Sequence, residues 1–397
     1  MTVKTPQANW LREPLPCAVI NALGADNVKF VGGAVRDTLI GRTPADIDAA
    51  TRLLPADATA RLEAAGLKVF PTGLKHGTVT VAMGKKVMEI TTLRVDTETD
   101  GRHAEVSFTT DWLEDAQRRD FTFNAIYMAS DGSLFDPFDG RSDLLAGKVR
   151  FIGEATARIE EDALRVMRFF RFFARYGKGA PDAEALAACN EKKSMLACLS
   201  IERVRDELMK MMALDNAAQA IGPMATCSIL SEIYGPAFTM KRIGDFFESE
   251  RLSGAAPCPL LRFYHLGPMS LYARELASRF RLSNDERQFL CDFEIAAAAS
   301  QPVDAVGIRR FVYLHSKKVA MAAALVANTA HYRDVEKLCS EWQLPAMPVK
   351  GRDLLAAGFE PGPAMGACLD VLEQRWIESD FTLGRESLLA SLQGEAS

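Results

Sequence analysis

Asp46 and Asp48 stand two residues apart in the run DIDAAT, a short way downstream of Gly32-Gly33, Arg36 and Asp37. A strand over 46–51 would put both carboxylates on the same face, because side chains alternate along a strand. Carboxylates that close repel one another unless a cation sits between them, and an all-oxygen ligand set suits Mg2+. The glycine pair lets an anionic ligand come close to the backbone. A helix starting over 34–40 would aim its free N–H groups at that ligand. Gly32-Gly33 fits neither G-x-G-x-x-G nor G-x-x-x-x-G-K-[ST], so alone it is an ordinary tight turn. Joined to Arg36 and the acidic pair, it points to metal-dependent phosphoryl chemistry, against the plainer reading of a surface turn and an edge strand with its acids in water. Glu89, in a second strand, could complete a three-carboxylate cluster with Asp46 and Asp48, although a lone strand glutamate more often simply faces solvent.

A second set of residues lies further on. Glu161, Asp162, Arg165, Arg168, Arg171 and Arg175 recur every three or four residues in EEDALRVMRFFRFFAR, the spacing of one face of a helix over 154–176. Leu164, Met167, Phe169, Phe170, Phe172 and Phe173 fill most of the remaining circumference, so the helix is predicted to be buried. Glu160, Glu161 and Asp162 sit at one end and cannot reach arginines two or three turns away. A triphosphate or an RNA backbone is therefore the expected complement of the arginine row. Asp162 accepts hydrogen bonds where Arg165 only donates. Side by side they would match the Watson–Crick edges of cytosine and adenine, whereas guanine and uracil would set a carbonyl oxygen against the carboxylate.

The elements that must position these groups follow from periodicity and punctuation. Strands are predicted over 28–31, 46–51, 68–70, 78–83 and 87–94, with helices over 34–40 and 57–65. The strands at 78–83 and 87–94 form a hairpin through Gly84-Lys85-Lys86. Residues 95–111 are polar with few apolar anchors and read as a mobile loop. From about residue 154 the signals are helical to the end, and Ser283 with Glu286 forms a capping box. The fold class is α+β: an α/β head with a mixed β-sheet over 1–153, then an all-α neck (154–220), body (221–340) and tail (341–397).

Composition sets limits on partners. The 397 residues are 48% hydrophobic and 25% charged, with a formal net charge of −5, so any nucleic acid must be held by local basic patches. The eight cysteines contain no C-x-x-C pair and read as reduced thiols of a cytoplasmic protein, not as a disulfide frame or a zinc site. No run of eighteen apolar residues occurs, and no membrane association is expected. Oligomeric state is not legible.

In this order and spacing VGGAVRD, DIDAAT, GLKHGTVTV, MEITTLR, RRDFTFNAI, DPFDG and EDALRVMRFFRFFAR resemble the class II bacterial tRNA nucleotidyltransferase/poly(A) polymerase family. The resemblance covers roughly residues 28–215, with IERVRDEL last and a weaker tail match at 350–366. It implies Mg2+ on Asp46 and Asp48, with Glu89 as third carboxylate. It also implies nucleotide contacts from Gly32, Gly33, Arg36, Arg119, Asn124, Asp162, Arg165, Arg168 and Arg171. His76 is assigned to structure, and the 100–103 segment matches the family's flexible loop. The implied reaction is addition of CCA to tRNA lacking part or all of its 3′ CCA, from CTP and ATP. A poly(A) polymerase shares the head motifs but is disfavoured, because residues 341–397 carry nine acids against four bases and would repel a long RNA. A CC-adding or A-adding specialist and a non-catalytic RNA-binding protein are the other readings.

Overall fold

A computed structural model describes residues 8–73, 77–99, 104–238 and 240–393, which fall into two compact units divided between Met240 and Lys241. His76 and residues 100–103 lie outside the described residues. In the first unit helix α1 (Pro14–Leu23), with proline in its first turn, precedes strand β1 (Val28–Val31) and helix α2 (Gly33–Leu39). Strand β2 (Asp48–Thr51) and helix α3 (Pro55–Ala64) follow, then strands β3 (Lys68–Gly73), β4 (Thr78–Met83) and β5 (Lys86–Thr92). Strands β6 (Arg94–Thr99) and β7 (Ala104–Phe108) come next, then helix α4 (Trp112–Gln117) and the short strands β8 (Tyr127–Met128) and β9 (Leu134–Phe135).

The main sheet runs β3-β4-β5-β2-β1-β8-β9. β2 and β5 are parallel and the other neighbours antiparallel, so the sheet is mixed as expected. Three sequence expectations need correction. The second strand starts at Asp48, not Asp46, because its pairing with β1 ends at Val31↔Asp48 where Gly32 turns away. Residues 95–111 are not one loop: β6 and β7 pair antiparallel as a separate ribbon, anchored by Arg94↔Phe108. The helix over 154–176 is two helices, α6 (Ala155–Glu161) and α7 (Leu164–Tyr176), after α5 (Gly140–Ala146). Asp162 adopts φ −152°, ψ 105°, and its carboxylate accepts from the Leu164 N–H, so an Asx-type bond competes with helix continuation at that point.

Helix α7 packs through aromatic contacts against the 121–123 segment that precedes β8. Phe121 lies 4.8 Å from Phe151 and 5.3 Å from Phe172, and Phe123 lies 5.5 Å from Phe172. All four rings are buried, and the two edge-to-face pairs with Phe172 add to their area burial. Gly140 opens α5 under the same segment, and a Cβ there would meet the Thr122 carbonyl oxygen at 2.2 Å. Since the obstacle is backbone, Gly140→Ala is expected to lower unfolding free energy by about 1–3 kcal/mol or more, read from a denaturant midpoint shift at unchanged m-value. The unit closes with α8 (Ala183–Lys192), α9 (Ile201–Met212), α10 (Ala218–Thr226) and α11 (Ile229–Tyr234).

The second unit is helical. It contains α12 (Lys241–Ser253), α13 (Pro259–Leu266), α14 (Ala273–Arg279), α15 (Asn284–Ala298), α16 (Ala305–Ala327) and α17 (Thr329–Glu341), then α18 (Gly351–Ala356), α19 (Pro363–Glu378) and α20 (Arg385–Gln393). The capping box at Ser283 and Glu286 is present. α16 kinks at Ser316 (φ 69°), and Asn328 caps α17. Val349, Leu354, Leu372, Trp376 and Leu388 form a small separate core over the last three helices.

Candidate active site

Gly32 sits at φ +81°, ψ −133°, a conformation that favours glycine. A Cβ there would lie 3.6 Å from the Asp48 Oδ2, so the glycine turn and the acidic pair meet. Asp48 is half-buried at the start of β2, and Glu89 is its register partner across the parallel β5. Burial raises the Asp48 carboxyl above the ordinary aspartate value, and the charges of Glu89 and Asp46 raise it further, against the pull of Arg36 and Arg119. Asp46, exposed just ahead of the strand, thus acts on Asp48 although it is not on the strand face that alternation assigned it. Among the described residues no three His, Cys, Asp or Glu side chains converge tightly enough to cage an ion. Two carboxylates still suit Mg2+, which keeps its other positions for water and substrate phosphate. The mutual repulsion at Asp48 is what a bound cation would relieve, so the residues fit the ion.

Beside the turn, Arg36 donates to the Asn124 Oδ1 at 2.5 Å, and Asn124 donates to the Asp120 Oδ1 at 2.5 Å. Asp120, buried, also accepts from the Phe121 N–H and from the Arg168 Nε at 2.7 Å. Burial opposes its charge, but Arg168 and Asn124 outweigh that and hold the carboxyl below its ordinary value. Arg36, Arg168 and Arg171 lie 5.2, 5.5 and 4.3 Å from the centroid of the Phe172 ring, so three guanidinium groups surround one buried aromatic. Arg119 is tied to Asp115 and to the Tyr127 hydroxyl (2.9 Å).

The arginine row of α7 has protein partners that periodicity did not anticipate. Arg165 pairs with Glu161, Arg168 with Asp120, Arg171 with Glu207 of α9, and Arg175 with Asp37 of α2. Glu161 lies one helical turn before Arg165, but the other three acids come from distant elements, and no helical spacing could reveal them. The Asp162–Arg165 pair is also not assembled as a base-reading edge. The two side chains have separate partners. Arg165 is buried, donating to Glu161 (2.6 Å) and to the carbonyls of Arg158 (2.9 Å) and Arg118 (3.0 Å). The guanidinium beside Asp162 is that of Arg203, at 3.1 Å. Arg203 lies in the IERVRDEL motif, quoted above without a role of its own. Asp120 likewise stands in a quoted motif without a role, and its place between Arg119 and Asn124 was the available signal.

The Poly A polymerase head domain model matches residues 28–150, and the model described as a probable RNA and SrmB-binding site of polymerase A matches 180–240. The chain is 35% identical to the mitochondrial CCA tRNA nucleotidyltransferase 1 of Mus musculus over 92% of its own length and 86% of the relative's. It is 29% identical to a CCA-adding enzyme of Latilactobacillus sakei, covering 91% and 92%. In fold it is similar to the Bacillus stearothermophilus CCA-adding enzyme in complex with CTP, with a TM-score of 0.76 at 26% identity over 97% and 98% of the two chains. It also matches the fold of the Thermotoga maritima CCA-adding enzyme complexed with tRNA, with a TM-score of 0.67 at 19% identity, covering 98% of each chain.

Proposed function

The chain belongs to the CCA-adding tRNA nucleotidyltransferase/poly(A) polymerase family, and from that premise we propose that it rebuilds the 3′-terminal CCA of tRNA from CTP and ATP without a template. The observation that carries the site assignment is Asp48, in the field of Asp46 and Glu89 and against the Gly32 turn. Asp46 and Asp48 would hold Mg2+, with Glu89 beside them. When bound, the ion supplies charge neutralisation on the triphosphate and acidifies the RNA 3′-hydroxyl.

The chain's own groups do the positioning. Gly32 and Gly33 admit the triphosphate to the backbone, and Arg36, Arg168 and Arg171 bind its phosphates around Phe172. Asn124, fixed between Arg36 and Asp120, orients the ribose. Arg119 bears on the site through its charge on Asp48. Asp162 accepts from the N4 amine of cytosine or the N6 amine of adenine, while Arg165 holds the α6–α7 break from behind. The neck is assigned to 154–220, with tRNA gripped by shape and phosphate over 221–340 and 341–397. A cytoplasmic location is inferred from eight free thiols. No helix among the described residues is long and apolar enough to cross a membrane.

Incubation with tRNA lacking CCA, CTP and ATP tests the activity. Three added residues reading C, C, A are expected, whereas a long homopolymer would mean a poly(A) polymerase and no addition a binding protein. Asp162→Ala is expected to cut discrimination against UTP and GTP by about 10–100-fold, the worth of a base-edge contact of about 1–3 kcal/mol. Single-nucleotide incorporation with each of the four triphosphates measures it, and an unchanged preference refutes the role of Asp162.

A further inference from the structure

The four arginines of α7 are each paired with a carboxylate, whereas Arg36 of α2 makes no ion pair among the described residues. Its partners are neutral. The Arg36 Nη1 donates to the Asn124 Oδ1, and its Nε donates to the Tyr176 hydroxyl oxygen at 3.4 Å. The remaining nitrogen, Nη2, lies 4.0 Å from where a Cβ on Gly33 would stand. Two corners of the guanidinium are thus tied down, and the third faces the glycine turn. A cation held only by neutral acceptors keeps its charge for a ligand, and phosphate is the anion that such a turn admits.

Behind each neutral partner stands a carboxylate. Asn124 is braced by Asp120. Tyr176 donates its hydroxyl proton to the Asp37 Oδ1 at 3.3 Å, and the Asp37 Oδ2 accepts from the Arg175 Nη2 at 3.2 Å. A phenol has a single proton to give. With that proton on Asp37, the lone pairs of the hydroxyl are left for Arg36, so Asp37 sets the direction in which Tyr176 accepts. The ring is fixed as well: Tyr176 is buried, stacked on Phe172 at 6.1 Å and edge-on to Phe123 at 5.7 Å. We propose that Tyr176 is a positioning residue for nucleotide binding, its hydroxyl aiming the Arg36 guanidinium at the triphosphate while Asp37 orients that hydroxyl. Both residues act through Arg36 and not on the substrate. The inference rests on the nucleotidyltransferase reading above.

Tyr176→Phe in the full chain removes one oxygen and keeps the ring. The Kd for CTP, titrated without RNA, and KM for CTP and ATP are expected to rise at least about fivefold, the scale of one hydrogen bond to a charged group. Turnover should change by less than about twofold, the pattern of a contact made alike in the ground and transition states. Asp37→Asn gives a second route. Its amide can donate to the hydroxyl oxygen and turn the phenol proton toward Arg36, so CTP affinity should fall there too. A residue that merely supports the fold would lower affinity in any background, and Arg36→Gln supplies the comparison. In that background Tyr176→Phe should shift CTP affinity by less than about twofold, because the hydroxyl acts through the guanidinium that is gone. Unchanged CTP affinity in Tyr176→Phe overturns the inference, as does an equal loss in both backgrounds or a fall in kcat with KM intact. Should Tyr176→Phe fail to fold in a thermal melt, Asp37→Asn with and without Arg36→Gln makes the same comparison. Wild-type protein run alongside keeps the two claims apart. If it adds no CCA to tRNA, the function falls and the inference with it; if it does and Tyr176→Phe binds CTP equally well, only the Tyr176 assignment falls.

Discussion

Asp48→Asn is expected to abolish nucleotide incorporation and, without divalent ions, to make the protein more stable. Loss of a residue that acts as part of a catalytic unit costs about 10⁴–10⁶ in turnover, and a fall of at least about 10³ is the threshold the assignment must meet. The stability gain follows from the cause of the Asp48 shift. Burial and the neighbouring charges of Glu89 and Asp46 raise its carboxyl in the folded state, so at neutral pH the folded chain holds a charge it disfavours. An uncharged isostere removes that repulsion, and relief of a surface-charge conflict is typically worth about 0.5–2 kcal/mol. The sign with pH is definite. A group titrating higher folded than unfolded contributes stability below its unfolded value and loses it as pH rises through the folded value. The advantage of the variant should therefore be largest near neutrality and disappear below about pH 4, where the wild-type carboxyl is protonated in both states. Added Mg2+ should stabilise wild type alone. Thermal melts with chelator and with Mg2+, at several pH values, read all of this. A variant that melts below wild type in chelator, or that still incorporates CMP, removes the carboxylate from the centre of the site.

The residues legible in the sequence are those whose neighbours in space are also neighbours along the chain. Gly32, Gly33 and Asp48 lie within one strand–helix–strand unit, and Glu89 is the partner of Asp48 one parallel strand away, so alternation and turn chemistry sufficed to bring these together. The helical remainder, the β4–β5 hairpin and the box at Ser283 were readable for the same reason. The failures have the opposite character. Asp46 fell outside the strand because strand length is decided by the partner: β1 ends at Gly32, and nothing local to 46–48 records that. The α6–α7 break depends on one carboxylate choosing the Leu164 N–H over a helical geometry that the residues on either side favour. The 95–111 segment has enough alternation for a ribbon once paired, yet too few apolar residues to announce it. Above all, the acids that answer the arginines of α7 arrive from α2, α9 and the segment before β8. A periodic row shows that counter-charges are required but not where they originate.

Asp120 is where that hidden pairing matters most, and Asp120→Ala is expected to damage both folding and nucleotide binding. The side chain is buried and holds three donors, from Arg168, Asn124 and the Phe121 N–H. Removing one member of a buried pair leaves the other as an uncompensated charge, at about 3–5 kcal/mol. Arg168 can recover part of that by moving toward solvent, because its side chain is 32% exposed, whereas Asn124 is buried and cannot. Asn124 is also what fixes Arg36, so the loss passes from the core to the phosphate-binding guanidinium and should raise KM for CTP and ATP together. Asp120→Asn retains the shape and one acceptor and should lose less on both counts. The pH dependence is opposite to that of Asp48. The Asp120 carboxyl titrates below its unfolded value, so its contribution is present above the ordinary aspartate range and is lost as pH falls through the folded value. Denaturant titrations at neutral and acid pH should show the stability gap between wild type and the Asn variant closing on acidification. A gap that stays constant with pH would mean that Asp120 acts through packing alone. An Ala variant with unaltered nucleotide KM would cut the link from Asp120 through Asn124 to Arg36.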